Sequence, residues 1–158
     1  MPNYVGVNQV DQKQSDAMSQ IFSVTEHIDA QLPSVWAHLT EPEKLGQWMP
    51  SIDHVHTANG EPTAPDNPLC YKSGGKPLFS PVVDYAPLMS IAYRSTRGNF
   101  SATYVYSIEA TEAGTNISLD ASCEAKGLMV LLQPLLKLVI KKADSVQLKM
   151  LKAVVERA

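Results

Sequence analysis

The sequence predicts an α+β fold in which seven antiparallel strands curl around a long C-terminal helix. Three observations predict it. Leu128, Leu132, Leu135, Val139, Ala143, Val146, Met150 and Ala153 recur at steps of three and four, which puts them on one face of a helix. A helix from Leu128 to Arg157 is about 45 Å long and apolar almost all round in its first half, so it needs cover on more than one side. Six strand-like segments joined in sequence lie upstream, and a meander of that kind offers one concave apolar face.

The elements follow in order. Residues 1–19 are polar and predict a loosely held tail; residues 20–158 predict a single domain. Ile21 to Ile28 alternates in character and predicts a first strand, with Glu26 the odd residue on its apolar side. Pro33 to Leu39 predicts a short helix with Pro33 in its first turn. Thr40 is positioned to cap a second, carrying Leu45 and Trp48 inward until Pro50 stops it. Ser51 to Thr57 predicts strand two. Pro62, Pro65, Pro68 and Asn59-Gly60 mark a long loop. Strands follow over Leu69 to Ser73, Lys76 to Tyr85, Met89 to Thr96, Phe100 to Ala110 and Thr115 to Glu124. Gly74-Gly75 predicts a tight hairpin turn, where both positions can take positive φ. Gly127 predicts the hinge from strand to helix, and Pro134 a kink or a fresh helix start.

Composition narrows the function classes. Thirteen Lys and Arg against sixteen Asp and Glu give a net charge of −3, which argues against a nucleic-acid partner, because phosphate contacts need clustered basic residues. Cys70 and Cys123 are far apart and form no CxxC, which predicts reduced thiols in a cytoplasmic protein. No signal peptide is predicted, and no run is long and apolar enough for stable membrane insertion. His54-x-His56 has a metal-compatible spacing but lacks a third ligand, so neither metal nor cofactor is expected. Ser73-Gly-Gly-Lys76 is a hairpin turn and not a phosphate loop, since the GxxxxGK spacing is absent.

The segment from Ile28 to Pro50, IDAQLPSVWAHLTEPEKLGQWMP, carries a Val-Trp pair, a Glu-Pro pair and a later Trp. It resembles the opening of the polyketide cyclase/dehydrase and lipid-transport family, of the START-like, helix-grip SRPBCC superfamily. Gln31 and Glu41 stand where the family pattern has Pro and Asp. Ile91 to Thr96, and Tyr106 to Thr115 leading into Lys126 to Leu128, fit the same pattern. The resemblance implies a helix-grip fold, with a ligand cavity between the sheet and the C-terminal helix. Strand parity then puts the mouth at Gly74-Gly75, Arg97 to Asn99 and Ala125 to Leu128, with the Pro-rich loop at the closed end.

Strand parity and helical spacing predict a lining of Phe79, Val83, Tyr93, Tyr104, Tyr106, Leu132, Leu135 and Val139, with Trp48 and Tyr71 nearby. Tyrosine hydroxyls in an apolar cleft suit a ligand with a few oxygens, of lipid, polyketide, sterol or quinone type. Arg94 and Arg97 are candidates for an acidic head group. Three functions follow: a carrier or sensor of such a ligand, which is the favoured one; a metal-free aromatase/cyclase or dehydratase using Glu26 or Asp84 as acid or base; and a protein-interaction module with a filled core. A homodimer is compatible with each of the three.

Overall fold

The computed structural model describes residues 18–158, so the expected tail lies almost wholly outside the described residues. The chain runs β1 (Ser19–Ile28), α1 (Leu32–Thr40), α2 (Pro42–Leu45), β2 (Asp53–His56), β3 (Leu69–Ser73), β4 (Lys76–Ser80), β5 (Val82–Ala86), β6 (Ser90–Arg97), β7 (Phe100–Thr111), β8 (Gly114–Ala125), α3 (Met129–Asp144) and α4 (Gln147–Arg157). This is the helix-grip architecture: an antiparallel strand system around the C-terminal helix, with two short helices after β1.

Eight strands replace the expected seven because Pro81 has no N–H to offer a ladder. It divides the predicted fourth strand into β4, which closes the sheet β2-β3-β4, and β5, which ends the sheet β1-β8-β7-β6-β5. The break is bridged where the Arg94 N–H donates to the Pro81 carbonyl at 3.1 Å. Gly74 and Gly75 both have positive φ, 59° and 78°, so the β3–β4 turn is built as its sequence requires. Gly114 opens β8 at φ 151°, where an added Cβ would stand 2.3 Å from the Ile28 carbonyl oxygen. That crowding lets the β7–β8 turn close against the end of β1.

Register sets the concave face. In β6 and β7, Ile91 pairs with Tyr106, Tyr93 with Tyr104, Ser95 with Ala102 and Arg97 with Phe100. The row continues into β8 at Leu119, Ala121 and Cys123. Beneath it Trp48 meets Tyr106 edge-on at 6.0 Å, and Tyr106 meets Tyr93 at 6.2 Å. The Trp48 indole N–H donates to the His38 carbonyl at 2.8 Å, which fixes α2 against α1. Thr40 is not the cap of α2: it ends α1, its hydroxyl bonding back to the Trp36 carbonyl at 3.0 Å, and Glu41 precedes α2.

The C-terminal helix departs from its predicted face. The chain stays helical through Pro134 and breaks instead at Ser145-Val146. The fully buried residues lie in α4: Gln147, Leu148, Leu151 and Val155. In α3 the inward side carries Met129, Gln133, Leu136, Ile140 and Asp144, all half-buried. The predicted stripe is therefore about one residue out of phase, with Val139 58% exposed and Leu135 60%. A helix apolar all round has no strong hydrophobic phase, so spacing alone does not determine which side meets the sheet.

Two tethers hold this segment to β1. At one end Lys137 Nζ donates to the Ser19 hydroxyl. At the other Lys152 Nζ reaches the His27 carbonyl, while Glu156 Oε1 accepts from Lys152 at 2.7 Å and from the Asp29 N–H at 3.0 Å. The hydrogen bond to Lys152 and the one from Asp29 hold the Glu156 carboxyl below its ordinary range.

Candidate functional site

Between the concave face and the break from α3 to α4 lies a cleft of about 260 Å³. Its sheet wall is Tyr71, Ser73 and Ser80 from β3 and β4, then Tyr93, Ser95 and Arg97 from β6, and Tyr104 and Tyr106 from β7. Met49 to Ile52, the segment after α2, forms a second side, and Ala143, Asp144 and Gln147 form the helix side. Two larger depressions, of about 590 and 610 Å³, are more open to solvent; one lies by the β7–β8 turn and one on the outer side of β7 and β8.

The tyrosine hydroxyls in the wall are already engaged. Tyr93 donates to the Leu39 carbonyl at 2.6 Å and is paired with the Thr63 hydroxyl at 2.6 Å. Thr63 belongs to the Pro-rich loop and is buried, so this bond ties the loop to the sheet behind the cleft. Tyr71 shares a hydrogen bond with Ser80 at 2.9 Å. Tyr106 donates to Gln147 Oε1 at 2.5 Å, and Tyr104 to Asp144 Oδ2 at 2.7 Å. These last two bonds fasten the helices to β7.

Electrostatics keeps the phenols protonated. Burial raises the Tyr93 phenol well above its ordinary value, against a smaller opposing effect of the Thr63 hydrogen bond. Tyr104 is raised first by burial, then by the Asp144 carboxylate beside it. Tyr106 is raised by burial and by neighbouring Tyr104. A phenolate in this wall would be desolvated and, at Tyr104, would face a carboxylate. The tyrosines therefore offer aromatic faces to the cleft, while polar contacts remain at Ser73, Ser95, Arg97 and Asp144.

The predicted lining divides. Tyr71, Tyr93, Tyr104 and Tyr106 meet in the cleft, and Trp48 lies buried beneath it against Tyr106. Phe79 does not line it: it pairs with Cys70 on the outer face of β4 and is 64% exposed. Val83 points outward too, because the bulge between Val82 and Asp84 turns Val82 inward. Leu132, Leu135 and Val139 lie on the solvent side of α3. Among the acid candidates, Glu26 is half-buried on β1, where its charge acts on Lys152 of α4, and Asp84 is exposed with Oδ1 accepting from the Tyr85 N–H. Neither borders the cleft.

Of the two arginines, Arg97 lines the cleft beside Ser73, whereas Arg94 points to the opposite face of the sheet, toward Thr103. His54 and His56 do not form a flat pair. His54 is in the left-handed region at φ 52°, the strand bulges there, and the His56 ring bonds to the His54 carbonyl. Among the described residues no three His, Cys, Asp or Glu side chains are grouped to hold a metal.

Sequence reasoning missed Asp144, Gln147 and the segment Met49 to Ile52. Asp144 had a signal: it is the one acidic residue between Lys126 and Lys152. Ser51 had none, yet it takes φ 65° at the edge of the cleft, a backbone state that a serine holds only where its surroundings impose it.

Comparison with known proteins agrees with this architecture. A protein from Mesorhizobium loti superposes with a TM-score of 0.67 at 14% identity, covering 87% of this chain and 97% of that one. The di-domain ARO/CYC StfQ from the steffimycin biosynthetic pathway gives 0.68 at 15%, covering 93% of this chain and 54% of that one. Ara h 8.0201 gives 0.64 at 13%, covering 89% and 99%. At these identities the likeness is one of fold. No curated protein sequence matches the chain. The family model described as polyketide cyclase / dehydrase and lipid transport matches residues 19–156. With an antiparallel sheet gripping a C-terminal helix and a family match over nearly its whole length, the chain belongs to the polyketide cyclase/dehydrase and lipid transport family.

Proposed function

We propose that the protein is a carrier or sensor that binds one small, mostly apolar molecule, of short-chain lipid, polyketide or quinone type and smaller than a sterol, in the cleft between β6, β7 and α4. One observation carries this reading. The wall is built of tyrosine rings whose hydroxyls are bonded to the protein, so its surface toward a ligand is largely apolar. Arg97 and Asp144 border the same space and suit a ligand's polar end. A cleft of about 260 Å³ is near the lower end of ligand pockets, about 300–1,000 Å³. The ligand is therefore one or two rings, or a short acyl chain, bound at about micromolar strength through apolar burial.

The Tyr104–Asp144 pair favours a second reading, cyclase or dehydratase chemistry with Asp144 moving a proton beside a carbonyl. Turnover of a β-keto substrate that vanishes in Asp144→Asn would put that reading first.

The binding test uses anilinonaphthalene sulfonate, an apolar ring system with one anionic end. Wild type is expected to take it up with a fluorescence rise. Ala143→Trp, which projects an indole into the cleft, should weaken uptake about tenfold or more. Leu131→Glu, on the far side of α3, should leave it unchanged. Equal uptake by wild type and Ala143→Trp would remove the cleft as the binding site.

A further inference from the structure

The side of α3 that faces away from the sheet is more apolar than the side that faces it. Leu128, Leu131, Leu135 and Leu138 are 83%, 80%, 60% and 67% exposed, and Leu132 and Val139 continue the patch. On a helical projection these six fall within about 120° of one another, a continuous band directed away from the body of the protein. An ordinary surface helix turns its apolar side inward and its charges outward; α3 turns Gln133, Lys137 and Asp144 inward.

The charges around this band have one sign. From Lys126 to Ala143 the chain has four lysines and no acidic residue, although the protein as a whole carries −3. Lys137 is turned to Ser19, which leaves Lys126 before the helix and Lys141 and Lys142 in its last turn, all exposed. Lys149 follows on α4, exposed. An apolar band with lysines at its ends complements a surface that is apolar within and anionic at its rim.

We propose that α3 docks the protein on lipid bilayers carrying anionic head groups, lying in the interface with its leucines in the acyl boundary and its lysines at the phosphates. The occupant follows from the charge. A second copy of the chain would bring the same leucine band and the same lysines against each other, like charge on like charge, with no acid from Lys126 to Ala143 to offset them. A neutral apolar partner would leave the lysines unused. The helix has 16 residues, about 24 Å. Among the described residues no helix is long and apolar enough to cross a membrane, so α3 lies on the bilayer and does not span it. Its last turn carries Ala143 and Asp144 into the cleft wall, with Asp144 on the side of the helix away from the leucines. The proposal does not depend on which ligand the cleft takes.

The test is co-sedimentation of the full chain with vesicles of phosphatidylcholine alone, or with about one third phosphatidylglycerol, where each lysine at the surface is worth about fivefold in affinity. Wild type is expected to pellet with the anionic vesicles, and less so at high salt. Leu131→Glu with Leu135→Glu should lose binding about tenfold or more. Lys141→Glu with Lys142→Glu should lose it by a similar factor. All four positions are exposed, so both variants should keep the circular dichroism and melting temperature of wild type. Wild type remaining in the supernatant, or both folded variants pelleting as wild type does, would overturn the proposal. So would a dimer in sedimentation equilibrium that the leucine variant disperses without any vesicle binding, since that assigns the face to a second copy.

Discussion

Leu148→Asp should unfold the protein, while Val139→Asp should leave its melting temperature nearly unchanged. Both are apolar-to-acid changes in the C-terminal helical segment, and their difference comes from which side of it meets the sheet. Leu148 is 1% exposed and belongs to the core formed with β1, β8 and α1. A carboxylate there would be buried among apolar side chains, and an unpaired buried charge costs several kcal/mol. That is a large part of the roughly 5–15 kcal/mol that holds a domain of this size together. Val139 is 58% exposed on α3, where substitutions usually change stability by less than about 0.5 kcal/mol. Urea midpoints of the two variants and wild type decide it. The opposite ranking would restore the predicted stripe as the core face.

Alkaline pH should unfold the protein steeply. Tyr93, Tyr104 and Tyr106 have raised phenol pKa values in the folded state, chiefly because burial disfavours the phenolate. In the unfolded chain a phenol titrates near 10. Above that value the unfolded state has lost these protons and the folded state still holds them, so rising pH favours unfolding. The three phenols contribute their full stability below about pH 10 and lose it as pH rises toward the folded values. With about 1.4 kcal/mol per group and per pH unit, the slope is about 4 kcal/mol per unit. Unfolding should therefore set in above pH 10, where the phenols of the unfolded chain ionise and the buried ones do not. Tyrosinate absorbance followed beside circular dichroism is the measurement. At least three phenolates should appear only together with loss of secondary structure. Their full appearance in a protein that is still folded would contradict the burial of these rings.

The fold was legible because its punctuation is local. Gly74-Gly75, the Pro33 helix start, and Gly127 between strand and helix each act through backbone conformation, which neighbouring residues largely decide. Alternation in β6 and β7 also placed Tyr93, Tyr104 and Tyr106 on one face, and register with the neighbouring strands preserves that alternation. What failed depended on tertiary choice. The phase of α3 was hidden because leucine occurs on every side of it, and the break at Ser145-Val146 has neither glycine nor proline to announce it. Phe79 and Val83 were assigned to the wrong face because Pro81 and the adjoining bulge change the parity of the predicted fourth strand. The cleft's carboxylate was sought on the strands at Glu26 and Asp84, whereas the helix supplies it as Asp144, within reach of Tyr104.

An apolar ligand is expected to enter the space between the tyrosine wall and the α3–α4 break. Nuclear Overhauser contacts between a saturating apolar probe and the protein test it most directly, because they give position as well as binding. Contacts are expected from the probe to the rings of Tyr104 and Tyr106 and to the Ala143 methyl group, three groups brought together across this cleft. Contacts confined to the leucines of α3, with none to the two tyrosine rings, would contradict it.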